Sequence, residues 1–297
     1  MRVGLSTALC VAMSLTVVTA HAPHVGADPR VFSSWDQATV IGLCVLATVY
    51  AIGAMRLAAR SVQKSRVEYC AFGVGWFVLL FAVLPWIDAA TIERFSAHMG
   101  QHELMMLVGA PLLIVGRPLS TSLWALPATW RRVGILPLQH RVTARAVRTL
   151  TTPAVAWALH GAVLWIWHMP LFYDLAVKSE PAHAVQHAMF VGTSLMFWGG
   201  LLYGRYGRAG YGAAVFFVFT TAVHTGLLGA LIMGSRTPLY SSYAHLPGMS
   251  GESALADQQI AGLVMWIPAG VLMTLVGIAL FAAWLGEADR RARLSGH

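Results

Sequence analysis

Seven apolar segments of roughly twenty residues recur along the chain, at about 37–57, 69–88, 97–116, 150–169, 183–203, 211–233 and 258–285. An α-helix rises about 1.5 Å per residue, so a run of about twenty crosses the ~30 Å hydrocarbon core of a bilayer. Backbone polar groups have no water to bond in lipid, so each such segment must satisfy its own as a helix. The expected fold is all-α, a polytopic transmembrane helical bundle of about seven helices. Composition agrees: 57% of residues are hydrophobic and 11% charged, whereas soluble domains carry about 25% charged residues.

Ahead of these segments, residues 1–20 read MRVGLSTALCVAMSLTVVTA. One arginine, an apolar run and the small residues Val18-Thr19-Ala20 have the layout of a secretory signal peptide, and the run is also long enough for an uncleaved N-terminal anchor. Residues 21–36 are polar, with Pro and Gly, and read as an exported tail. Residues 37–286 form one seven-helix membrane domain and 287–297 a cytoplasmic tail.

Lys and Arg set the orientation. With 21–36 outside, fifteen basic residues fall in the inside stretches and four outside (Arg30, Arg94, Lys178 and Arg236). The chain is therefore expected in the bacterial plasma (inner) membrane, with the mature N-terminus outside and the C-terminus cytoplasmic. The net charge of +8 belongs to these loops, and nucleic acid is not an expected partner; membrane lipid is. The basic loop 117–149, with Trp124 and Trp130, suits either an interfacial amphipathic helix or a loop that only sets topology. Cys10, Cys44 and Cys70 lie in apolar runs with no CxxC, which argues against a disulfide framework or thiolate site and predicts that Cys44 and Cys70 are buried.

Ionisable side chains are expensive in a bilayer, so each one needs a partner or a role. Here they gather at one level. His98 and His102 (SAHMGQHELMM) lie in the outer turns of the third segment and His168 (WIWHMP) at the outer end of the fourth. His183 and His187 (PAHAVQHAMF) open the fifth, and Asp257, Gln258 and Gln259 (ADQQIAG) open the seventh. His98 and His102 are i and i+4, as are His183 and His187, so each pair shares a helix face. Two such pairs at one depth offer four imidazole nitrogens, a donor set that suits copper, zinc, iron or haem iron. Met99 and Met169 are close in sequence but share no helix face with their neighbouring histidines. His160 lies deeper, His224 lies in the outer half of the sixth segment, and Glu103 follows His102 inside the span; these three are secondary candidates. A hydrogen-bonded polar network without metal is the competing reading of the same residues. Pro111 and Pro268 are expected to kink their helices. Trp86, Trp165, Trp167, Tyr173 and Tyr240 fit an aromatic belt at the membrane surface.

The motifs FSAHMGQHELMMLVGAPLLIVGRPL, LWIWHMPLFYDLAV, HAVQHAMFVGTSLMFWGGLL, RTPLYSSY and LADQQIAGLVMWIPAG occur in this order between about Phe95 and Trp284. Together they resemble the CtaG family of polytopic cytochrome c oxidase assembly factors, the family associated with caa-type oxidases. The single-span copper chaperone of the same name is a different protein. The resemblance implies a seven-helix membrane protein needed to make active cytochrome c oxidase, with oxidase subunits as partners and copper as the metal handled. The family's characteristic positions fall on His98, Gln101, His102, His168, His183, His187, Asp257 and Gln259. The expected metal ligands are thus His98, His102, His168, His183 and His187, with Gln101, Asp257 and Gln259 behind them orienting rings. Glu103 stands where an apolar residue is expected. A metal-free assembly scaffold and a haem- or metal-binding redox protein remain alternatives. No Ser-His-Asp order, phosphate loop or CxxC indicates an enzyme.

Overall fold

Among the described residues, which are 34–62, 64–131, 142, 145, 149–203, 210–244 and 250–295, every element of the computed structural model is a helix. In chain order these are α1 (Ser34–Ala58), α2 (Arg66–Ala82), α3 (Pro85–Glu93), α4 (Phe95–Glu103), a π-helical stretch (Leu104–Gly109), α5 (Ala110–Gly116) and α6 (Pro118–Ser122). A short 3₁₀ turn (Leu123–Ala125) comes next, then α7 (Pro153–Trp167), α8 (Pro170–Lys178), α9 (Glu180–Tyr203), α10 (Gly210–Gly234), α11 (Ser241–Ala244) and α12 (Gly251–Ser295). The expected signal or anchor at 1–20, the exported tail up to residue 33, Cys10 and much of the loop 117–149 lie outside the described residues.

Among the described residues, four stretches are long and apolar enough to cross a membrane: Gln37–Ala58, Phe95–Gly116, Tyr211–Gly234 and Gly251–Gly286. The number rises to six when the bent pairs α2–α3 and α7–α8 each count as one span. The expected figure of seven is therefore approximate. The remaining segment is α9, one helix of 24 residues, whose mean hydropathy His183, Gln186 and His187 lower.

Proline explains both bends. Pro85 opens α3 and Pro170 opens α8, and the pairs bend by 52° and 75°. A proline ring disfavours helical geometry in the residue before it, and Leu84 (ψ 145°) and Met169 (ψ 133°) are both extended. Pro268 behaves differently and is carried inside α12 without ending it. Pro111 follows directly on the π-helical stretch, where the Ala110 N–H bonds to the Met105 carbonyl. This wider turn releases the Met106 carbonyl, and α9 satisfies it: Ser194 Oγ donates to it at 2.9 Å and Trp198 Nε1 at 3.0 Å.

α10 and α12 pack backbone to backbone. A Cβ built on Gly262 would lie 2.6 Å from the Gly229 carbonyl oxygen, and one on Gly229 2.7 Å from that of Gly262. Two sequence expectations are corrected here. Cys44 and Cys70 are exposed rather than buried, since α1 and α2 turn these small apolar side chains outward. Of the supposed aromatic belt, Trp86 is exposed, but Tyr173 and Tyr240 are among the most buried side chains of the protein. They join Phe95, Met99 and Tyr243 in a core at the end of the bundle where α4 and α12 begin.

Candidate metal centre

α4 lacks a side-chain cap of its own, because Arg94 makes no capping bond. A carboxylate from another helix does that work. Asp257, in α12, accepts from the N–H of Phe95 (2.7 Å), the N–H of Ser96 (3.2 Å) and the Ser96 hydroxyl. The negative group satisfies N–H groups left over at a helix start and sits at the positive end of its dipole. One turn further along α4, His98 and His102 point inward and are 2% and 1% exposed. His183 and His187, in the first turns of α9, are partly buried beside them.

The two pairs converge. One ligand nitrogen from each of His98, His102, His183 and His187 lies within 4.8 Å of all the others. His98 Nε2 and His102 Nε2 are 3.1 Å apart. Ring centroids are 4.1 Å apart for His183–His187, 5.1 Å for His102–His187 and 5.2 Å for His98–His183. His102 Nδ1 and His187 Nε2 are buried without a protein partner. Two nitrogens on one tetrahedral ion at ~2.0 Å are about 3.3 Å apart, so the His98–His102 spacing of 3.1 Å already matches, and the other pairs lie within 4.8 Å.

His168 stands just outside this group. Its Nδ1 donates to the Leu164 carbonyl at 2.7 Å, and its buried Nε2 has no protein partner. Phe190 packs against both the His168 and the His102 rings. His160 is elsewhere, bonded to Thr193 at 3.2 Å and stacked on Phe197. Neither ring nitrogen of His224 has a partner, and its Nε2 faces the open side of Gly161. Glu103 Oε2 is enclosed without a partner. None of these three belongs to the four-histidine group.

The residues expected behind the ligands act otherwise. Gln101 donates to the Ala82 carbonyl at 2.7 Å and ties α4 to the end of α2. Asp257 holds the first turn of α4, not a ring. Gln259 is exposed, and its neighbour Gln258 is the buried one. Gln258 accepts from the Leu239 N–H at 2.6 Å and donates to the Ile232 carbonyl at 3.1 Å. Sequence reasoning gave Tyr243 no role, yet its hydroxyl lies 3.0 Å from His98 Nδ1. Its position inside RTPLYSSY, a motif that reads as loop, was the available signal.

Fold and site together define a multi-pass helical membrane protein with four imidazoles gathered at one end of its bundle. Comparison with known proteins narrows this. A family model described as cytochrome c oxidase caa3 assembly factor (Caa3_CtaG) matches residues 48–287, and the chain belongs to that family. It is 25% identical over 275 residues to uncharacterized proteins of Mycobacterium bovis and Mycobacterium tuberculosis, and 24% identical over 278 residues to one of Mycobacterium leprae. These alignments cover 88–89% of this chain but 41% of each relative, so the chain spans well under half the length of the curated relatives it matches. No solved structure matches it.

Proposed function

We propose that the protein is an assembly factor for cytochrome c oxidase in the bacterial plasma membrane, holding copper as cargo near the outer surface and releasing it to an oxidase subunit. The observation that carries this reading is the convergence of His98, His102, His183 and His187. Neutral imidazoles bind first-row metals in the order that favours copper. The rings lie against one another, with centroids 4.1–5.2 Å apart, which suits a single bare ion. His98 and His102 are the fully buried half of the site; His183 and His187 are only partly buried, and theirs is the side from which an acceptor's ligands would approach the ion. No covalent step is required of the protein. His168, with its Nδ1 proton engaged and Nε2 unpartnered, is placed to serve as a waiting ligand during exchange.

The test is metal content. Protein purified from copper-replete cells should carry about one copper per chain, and the double variant His102→Ala with His187→Ala should carry none. Copper-free wild type would end the metal role.

A second reading, a metal-free scaffold, is favoured by the bonds His98 already makes to Tyr243 and His102. Under it, His→Asn or His→Gln replacements that keep hydrogen bonding should support normal oxidase assembly.

A further inference from the structure

The hydroxyl of Tyr243 has one proton to give. It lies 2.6 Å from the Thr91 carbonyl and 3.0 Å from His98 Nδ1. A carbonyl can only accept, so the proton points to Thr91. The Tyr243 oxygen must then accept from His98 Nδ1.

Its placement is enforced from four neighbouring positions. Leu239 is held by Gln258. The Tyr240 hydroxyl donates to the His168 carbonyl at 3.0 Å. Asp174 Oδ2 accepts from the N–H of Ser241 (3.2 Å) and its hydroxyl (2.7 Å). Asp174 Oδ1 accepts from the N–H of Ser242 (3.0 Å) and its hydroxyl (2.7 Å). The segment 239–243 is thus strapped across the end of the bundle, with Tyr243 packed against Phe95.

We propose that Tyr243 is a positioning residue that locks His98 as its Nδ1–H tautomer and so aims the Nε2 lone pair at the other three imidazoles before any ion arrives. A second consequence follows at the 3.1 Å contact between His98 Nε2 and His102 Nε2. Because His98 Nε2 carries no proton, the shared proton belongs to His102. Metal entry at His102 Nε2 therefore requires that ring to move its one proton from Nε2 to Nδ1, which has no protein partner, while His98 is preset. Outer partners of this kind change metal affinity by about 10–100-fold. The consequence for metal rests on the proposed copper role; the tautomer itself does not.

The experiment is nitrogen NMR on the metal-free full chain with ¹⁵N-labelled histidine, the His98 signals being assigned by their loss in His98→Asn. Wild type should show His98 protonated at Nδ1 and bare at Nε2. Tyr243→Phe should move His98 to the Nε2–H form or a mixture, and weaken Cu(I) binding by about 10–100-fold. Tyr240→Phe, which removes a comparable buried hydroxyl bond, should leave the His98 signals unchanged. An Nε2-protonated His98 in wild type overturns the proposal, as does a wild-type tautomer in Tyr243→Phe. If Tyr243→Phe does not accumulate, the wild-type spectrum decides alone. Failure of wild type to bind Cu(I) would overturn the copper role and leave the tautomer result standing.

Discussion

Asp257 engages both carboxylate oxygens with the first turn of α4, so its removal acts on His98 and His102 through the helix that carries them. Asp257→Ala leaves two backbone N–H groups and a hydroxyl unpartnered. By analogy with lost caps it should cost about 1–2 kcal/mol, seen as a lower melting temperature in detergent. Asp257→Asn, which still accepts, should recover most of it. An unchanged melting temperature in Asp257→Ala would show that the α4 start is held by other contacts. The same residue shows where sequence reasoning stops. Hydropathy fixes the level of a side chain in the bilayer but not the direction it faces around its helix. The family resemblance, with level for Asp257 and Gln259, placed Asp257, Gln101 and Gln259 beside the histidines; rotation sends Asp257 to the start of α4, Gln101 to a backbone carbonyl and Gln259 outward. The i, i+4 pairs escaped that limit, because spacing within one helix fixes their common face whatever its rotation.

The π-helical stretch Leu104–Gly109 joins the site-bearing α4 to α5 and links both to α9 through the Met106 carbonyl. Ser194 and Trp198 are i and i+4 on α9, so both reach that one oxygen. Removing either donor leaves the other, whereas removing both leaves a carbonyl unsatisfied in an apolar interior, a loss of about 1–3 kcal/mol. Ser194→Ala and Trp198→Phe should therefore be mild in hydrogen-bonding terms singly and more than additive together, measured as melting temperature in a double-mutant cycle. Simple additivity would show that the carbonyl is satisfied another way. Pro111 was legible in the sequence as a disturbance, since its ring excludes a normal turn. The form of the disturbance was not legible, because the widened turn is stabilised by Ser194 and Trp198, about ninety residues away in the chain. The prolines at 85 and 170 likewise turned two expected spans into bent pairs.

At the scale of the whole bundle, the starts of α4, α9 and α12 and the end of α7 meet at one pole, where Tyr173, Tyr240, Tyr243 and Phe95 close over the histidines. Much of this was readable beforehand: the all-helical membrane fold from the apolar repeat, and the pairing of His98 with His102 and of His183 with His187 from their spacing. The roof was not, because Tyr173 and Tyr240 near segment ends look the same whether they face lipid or fill a core. α10 and α12 supply part of the rigid frame through the Gly229–Gly262 approach. Beside that frame the four imidazoles offer ligand nitrogens within 4.8 Å of one another, the arrangement on which the proposed copper role rests.

X-ray absorption at the copper edge of the loaded, purified protein tests that claim most directly. The account predicts a nitrogen-only first shell near 2.0 Å with imidazole outer-shell scattering, lost in the His102→Ala, His187→Ala double variant. Sulfur or mainly oxygen neighbours, or an unchanged spectrum in the double variant, would contradict it.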